Sequence, residues 1–243
     1  MLALYKKEIW SFLSSLIGYI VIVVFLLMTG LFMWIFPGEM NQIDRGFADL
    51  DTLFLIGPWV FMFLIPAITM RSFSEERRTG TMELLLTKPL SKVQIILAKF
   101  FSGLTLTVIA IIPTLFYYYS INKLGLPEGN IDHGGVWGSY LGLIFLSAVF
   151  VSIGMFASSL TSNQIVAFIT AVFLSFFLFF GFESIASFDL LGSFDSWMLN
   201  IGIKQHYSSM SRGVIDTRDV AYFVGVSAIF ILLTKFNLET GKQ

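Results

Sequence analysis

The chain has 243 residues, of which 56% are hydrophobic and 13% are charged, and its formal net charge is −1. Soluble globular domains are roughly 25% charged, so this composition excludes a water-soluble body and predicts an all-α integral membrane protein. The near-neutral charge gives no indication of a nucleic-acid partner. The absence of cysteine excludes disulfides, thiolate metal sites and cysteine nucleophiles, and two histidines are too few for a histidine metal cage.

Residues 1–15 show a helical pattern in which apolar and polar side chains take opposite faces. Lys7 and Ser11 lie on the polar face, and this arrangement predicts an amphipathic helix in the membrane interface. The alternative is a cytoplasmic extension of the first span. The apolar face consists of Leu2, Tyr5, Ile9, Phe12, Leu13 and Leu16.

Six apolar stretches follow, and crossing a bilayer as a helix takes roughly 20 residues. The first is too long for the apolar region of a signal peptide and has no small-residue cleavage site, so we expect it to be retained. The sixth is shorter, and its alternative is an interfacial or buried helix. We expect a single transmembrane domain over residues 1–243. The stretches are residues 16–36, 53–70, 98–119, 138–160, 164–182 and 219–234.

Lysine and arginine are concentrated in the segments on one side of these spans. Because such residues accumulate on the cytoplasmic side of membrane proteins, we expect both termini to be cytoplasmic. The cytoplasmic segments would hold Lys6, Lys7, Arg71, Arg77, Arg78, Lys88, Lys92, Lys99, Lys235 and Lys242, against Arg45, Lys123, Lys204, Arg212 and Arg218 outside.

The outer segments are polar and mostly acidic. The longest, residues 183–218, has apolar residues at helical spacing, which predicts a short amphipathic helix on the outer surface. Glu183 at its start is either a substrate contact or a residue at the water boundary. Aromatic side chains near the span ends are expected to anchor the protein at the membrane interface.

The main cytoplasmic segment, residues 73–94, is dense in charge between two apolar spans. Gly80 can adopt the left-handed conformation that ends a helix continuing from the second span. Thr81 can cap a new turn, in which Glu83 is favourably placed. The charged residues are Glu75, Glu76, Arg77, Arg78, Glu83, Lys88 and Lys92, with Arg71 just before them.

The rest of this segment carries its own stop and start patterns. Pro89 ends the new turn, which predicts a compact helix over residues 81–87. Ser91 and Gln94 match a capping box at the beginning of the third span.

The predicted short helix carries Leu84, Leu85 and Leu86 in succession and cannot bury all three against itself. Part of this surface must therefore meet the membrane bundle or another protein, with the flanking charges as a polar rim. A solvated loop is the alternative, although such a loop would need neither caps nor leucines. The segment therefore predicts a protein-docking site.

The stretch EERRTGTMELLLTKPLS, residues 75–91, resembles a loop of the permease subunits of type-2 ABC exporters, whose pattern is close to E-x-x-x-G-T-x-E-x-L-L-x-x-P-[LVI]-S. The resemblance extends to the whole chain in the number of spans, the N-terminal amphipathic segment and the long last outer loop. Within that family, this stretch and HYSSMSRGVIDTRDVAYF, residues 206–223, look like the gliding-motility permeases.

The resemblance implies that the segment forms a coupling helix that docks on a separate ATPase subunit. That subunit would hold ATP and Mg²⁺, and no cofactor is expected in this chain. A second permease subunit, identical or related, and a place among the lipids of a bacterial inner membrane are also implied. The implied docking residues are Glu75, Glu76, Arg77, Gly80, Thr81, Met82, Glu83, Leu85, Leu86 and Pro89.

Three other functions compete with this one. The sequence has no G-x-x-x-x-G-K-[ST], H-E-x-x-H or G-x-S-x-G motif, so it is not expected to be an enzyme, and a partner would hydrolyse ATP. A stand-alone secondary transporter or channel would usually place ionisable residues inside the spans, which hold almost none. A structural role in a motility or secretion assembly stays open. The weakly polar spans suit an apolar or amphipathic cargo.

Overall fold

A computed structural model describes residues 1–87, 89–188, 192 and 198–240, without the side chain of Leu86. All regular secondary structure in these residues is helical, and six helices are long and apolar enough to cross a membrane. The predicted all-α architecture with six spans is confirmed. The spans, numbered one to six, are Leu16–Ile35, Asp51–Arg78, Lys92–Leu124, His133–Leu160, Gln164–Ala186 and Thr217–Thr240.

The N-terminal helix, Leu2–Leu13, is separate from span one. Ser15 is extended, and its hydroxyl accepts from the backbone N–H of Gly18 at 3.3 Å as the N-cap of the next helix. A Cβ at Gly18 would lie 2.3 Å from the Phe12 carbonyl oxygen, so the glycine permits a tight corner. The N-terminal helix is therefore not continuous with span one, and its location at the membrane interface or in the cytoplasm stays a prediction.

Irregular turns interrupt several spans. Span two consists of Asp51–Thr69 and Arg71–Arg78 with a break at Met70. Span three passes through a 3-10 turn at Ile112–Thr114, where a proline follows Ile112. Span one ends in a π-helical turn and span five contains another. The helical pieces of spans one, three and five are Leu16–Gly30, Leu31–Ile35, Lys92–Ile111, Leu115–Leu124, Gln164–Phe176, Phe177–Gly181 and Phe182–Ala186.

Short helices between the spans in the described residues include Gln42–Arg45, Thr81–Leu86 and Ile203–Met210. The last confirms the short helix predicted between spans five and six, although residues 189–191 and 193–197 of that segment lie outside the described part. Lys204 on this helix pairs with Glu183 at 2.6 Å.

Spans two, three and four form the centre of the bundle and are mostly buried, whereas most of spans one, five and six is uncovered. The N-terminal helix, the connection between spans two and three and the end of span six lie at one end, which we call the terminal face. Contacts there include the Lys92 ammonium donating to the Leu238 carbonyl at 3.1 Å. The opposite end is the distal face.

Candidate functional site

The connection between spans two and three begins at a joint in span two. A Ser158 hydroxyl from span four is inserted at the break: its oxygen accepts from the backbone N–H groups of Phe73 at 3.0 Å and Ser74 at 3.1 Å. The same hydroxyl donates to the Met70 carbonyl at 2.8 Å. Side-chain insertion into the backbone hydrogen-bond ladder is a recognised cause of a helix break. The joint is therefore held by span four rather than left free.

Span four approaches this joint closely because it has glycine at position 154. A Cβ there would lie 1.9 Å from the Thr69 hydroxyl oxygen, a separation that no real structure tolerates. The Thr69 hydroxyl itself donates to the carbonyl of Ile65 within span two at 2.9 Å. The glycine thus provides the room that lets Ser158 reach the break one turn later.

A buried lysine joins the next part of the segment to two other helices. The Lys99 ammonium on span three lies 2.9 Å from Glu8 Oε1 on the N-terminal helix and 2.8 Å from Glu76 Oε1. Its side chain is only 2% exposed, and the ammonium also lies 5.3 Å from the ring centre of Phe73. Burying an ammonium is tolerable when carboxylates pair with it. These residues, the Lys99 cluster, tie three helices together.

From the sequence, Lys99 is predicted only as a positive charge on the cytoplasmic side. Its position inside an apolar span was the available indication, because ionisable residues in such spans are costly and usually have a partner. The second oxygen of Glu76, Oε2, is buried and has no hydrogen-bond partner among the described residues. Glu76 therefore faces the bundle, although it was predicted as a docking residue.

Gly80 separates the end of span two from the short helix Thr81–Leu86, which we call the loop helix. Its φ is +70°, so the predicted left-handed conformation is confirmed. Thr81 does not cap the loop helix, and that prediction is wrong: Gly80 is the N-cap residue, without a side-chain cap. The Thr81 hydroxyl instead lies 2.9 Å from that of Thr79.

The two ends of the loop helix otherwise follow the predicted pattern. Glu83 lies in its first turn, where its negative charge is favourable. The helix ends at Leu86, one residue earlier than predicted, and Lys88 lies outside the described residues.

The capping box at the start of span three is confirmed. The Ser91 hydroxyl accepts from the Gln94 backbone N–H at 3.2 Å, and the Gln94 side-chain oxygen accepts from the Ser91 backbone N–H at 3.0 Å.

Two of the three leucines of the loop helix, Leu84 and Leu85, lie in different environments, and the side chain of Leu86 lies outside the described part. Leu85 is 7% exposed and joins the core of the bundle, whereas Leu84 is 65% exposed. Leu84 is not among the ten predicted docking residues, since neighbouring leucines cannot be assigned to faces before the helix orientation is known. The other predicted docking residues divide into exposed Gly80, Thr81, Glu83 and Pro89 and half-buried Glu75, Glu76, Arg77 and Met82.

A polar groove of about 410 Å³ runs beside the loop helix, between the N-terminal helix and the end of span two. Lys7 and Ser11 line one wall, and Arg71, Glu75 and Thr79 line the other. The exposed leucine, the acidic first turn and this groove lie on one face of the molecule. Such a surface suits contact with a folded partner better than catalysis.

Sequence comparison now assigns the family. The family described as ABC-2 family transporter protein matches residues 41–233, which include spans two to five, the loop helix and most of span six. The chain belongs to the ABC-2 transporter family. It is thus a multi-pass permease, the membrane component of an ABC transporter rather than its ATPase, and membership implies an ATPase partner and dimerisation in general. A search of curated protein sequences returned no match.

Proposed function

We propose that this ABC-2 permease is half of an ATP-driven exporter and that the loop helix is its coupling helix, which docks on the ATPase. The observation that carries the proposal is the pairing of an exposed Leu84 with a Leu85 fixed in the core. An exposed apolar residue on a helix that packs firmly against the core can transmit a displacement imposed by a bound partner, because a rigid element transmits displacement.

The contacts that hold the end of span two, just before the loop helix, support the same proposal. Ser158 holds the joint at Met70, and the Lys99 cluster holds Glu76 five residues before Thr81. Movement of the loop helix would therefore reach spans three and four and the N-terminal helix together. The concentration of Lys and Arg on the terminal face supports a cytoplasmic location of that face, where ATP is available.

A second permease subunit completes the proposed transporter. Spans one, five and six leave most of their surface uncovered in one chain, and part of that surface is available for a second copy or a related subunit. We further propose that the chain is one of the gliding-motility permeases called GldF and lies in a bacterial inner membrane, because the sequences of residues 75–91 and 206–223 resemble that group.

Affinity purification from the native membrane in mild detergent, followed by mass spectrometry, tests the docking proposal. Wild-type protein should recover an ATPase subunit with a phosphate-binding G-x-x-x-x-G-K-[ST] loop. Glu83→Arg and Gly80→Val should recover much less of it while the chain still inserts in the membrane. For Gly80 the reason is that a β-branched residue disfavours positive φ.

Gly46→Val is the matched control. Gly46 has φ +69° and open surroundings, as Gly80 does, but it lies on the distal face. It should strain the backbone equally and leave ATPase recovery unchanged. Equal recovery with all variants would refute docking through the loop helix.

A further inference from the structure

The distal face contains a cleft of about 630 Å³ between the beginning of span two, the end of span five and the helix Ile203–Met210. Volumes of roughly 300–1,000 Å³ are typical of sites for small molecules. Tyr207 closes its floor, since its hydroxyl donates to the Phe54 carbonyl on span two at 2.8 Å. The walls of this distal cleft are therefore fixed relative to one another.

The polar mouth of the distal cleft carries charges of both signs, since Arg45, Lys204 and Arg212 line it together with Glu39 and Asp51. Two of the cations are already paired: Arg45 lies 3.3 Å from Asp49 and 3.9 Å from Asp51, and Lys204 lies 2.6 Å from Glu183. Arg212 also lines the cleft, is exposed, and makes no ion pair with any described residue. Two serines, Ser208 and Ser211, lie beside it in the lining. The Arg212 guanidinium is the group here that can bind an anionic ligand, because guanidinium groups bind phosphate and carboxylate strongly.

The other wall of the cleft is apolar and continues along span two. Leu55 and Trp59 line the cleft and are 56% and 46% exposed, and Phe63, one turn further, is 53% exposed. Residues spaced four apart lie on one helix face. The three side chains therefore form a continuous apolar stripe, the span-two stripe, which runs from the cleft toward the middle of the bilayer.

We infer that the distal cleft binds a phosphate-bearing lipid, with its head group at Arg212 and its acyl chain along the span-two stripe. A polar site continuous with a lipid-facing stripe fits an amphiphile better than a free ion or a sugar, since neither of those would use Leu55 or Phe63. The inference rests on the proposed function, for which it names the class of cargo: an amphiphile with an anionic head group.

Photolabelling of the full chain tests this site. The protein is placed in phosphatidylcholine nanodiscs containing a trace of phosphatidic acid with a diazirine in its acyl chain, irradiated and digested. We expect labelling of the peptide containing residues 51–63. Arg212→Ala should reduce that labelling roughly three- to tenfold, the loss of one charge-assisted contact, and Arg212→Lys should restore part of it.

Arg218→Ala is the matched control, because Arg218 is an exposed arginine of the same segment that does not line the cleft. It should label like wild type. Two results would overturn the proposal. One is an equal reduction of labelling by Arg212→Ala and Arg218→Ala, and the other is labelling by diazirine phosphatidylcholine that equals labelling by diazirine phosphatidic acid in all variants. Competition by inorganic phosphate that is as strong as competition by unlabelled phosphatidic acid would show a bare-anion site and overturn it as well.

A second copy of the chain is the other possible occupant of the stripe. The chain has no cysteine, so Trp59→Cys introduces a single thiol there. A disulfide between two copies, with no labelling of residues 51–63, would assign the stripe to a subunit interface and overturn the lipid site. None of these measurements uses the ATPase, so failure here leaves the docking experiment unaffected, and failure of docking leaves this one unaffected.

Discussion

The Tyr207 hydroxyl lies 2.8 Å from the Phe54 carbonyl oxygen and donates the hydrogen bond that Pro58 cannot give. In an α-helix this carbonyl would accept from the N–H four residues later, but proline has none. Burial raises the pKa of the Tyr207 phenol, so the group stays a neutral donor. The carbonyl that Pro58 leaves without a donor in span two thus forms the contact that fixes the helix Ile203–Met210.

Tyr207→Phe should lower the free energy of unfolding by about 1 kcal/mol, because the carbonyl loses its only replacement donor. In a Pro58→Ala background the helix supplies its own N–H, and the same substitution should then cost much less. Denaturant titration of tryptophan fluorescence in detergent micelles would measure all four proteins of this cycle. Equal costs in the two backgrounds would show that the phenol acts only through its packing.

Ser158→Ala should lower the free energy of unfolding by about 2 kcal/mol, because two buried N–H groups at the joint of span two lose their acceptor. The control is Ser152→Ala, also buried on span four, whose hydroxyl donates only to the Val149 carbonyl of its own helix. It should cost less than about 0.5 kcal/mol. Similar values for both would mean that span two straightens and pairs its own backbone groups once Ser158 is removed.

Contacts close in sequence were predictable, and contacts distant in sequence were not. Gly80 and the Ser91–Gln94 capping box follow from backbone preferences within a few residues, and the six spans follow from hydropathy. Ser158 acts 85 residues from Phe73, and Lys99 acts 91 residues from Glu8. No local pattern pairs such residues, because the pairing depends on which spans are neighbours.

The error at Thr81 has a local cause. The second piece of span two ends at Arg78 with Thr79 as its C-cap, and Gly80 follows directly, so the N-cap position of the loop helix falls on the glycine. Thr81 is already helical and cannot cap. Two helices joined by a C-cap residue and one left-handed residue leave no room for a separate capping threonine.

Lys99→Met should lower the free energy of unfolding by about 3–5 kcal/mol, because it leaves the Glu8 and Glu76 carboxylates partly buried without a counter-charge. Adding Glu8→Gln and Glu76→Gln to Lys99→Met removes the unpaired charges and should recover most of that loss. The comparison separates the cost of unpaired charge from the loss of lysine packing. A triple variant as unstable as Lys99→Met alone would assign the effect to packing.

Leu84→Asp and Leu85→Asp, one residue apart, should have different effects on the free energy of unfolding. Leu84 is 65% exposed, so its replacement should leave the free energy of unfolding within about 0.5 kcal/mol of wild type. Leu85 is 7% exposed, and an unpaired carboxylate there should cost about 3 kcal/mol or more.

Recovery of the ATPase in affinity purification should give the complementary result. Leu84→Asp should reduce recovery about tenfold or more, because a central apolar contact at an interface is replaced by a charge that must be desolvated. Leu84→Met, which keeps an apolar side chain of similar volume, should retain most of the binding. A stable Leu84→Asp chain that recovers the ATPase as well as wild type would remove the loop helix from the interface.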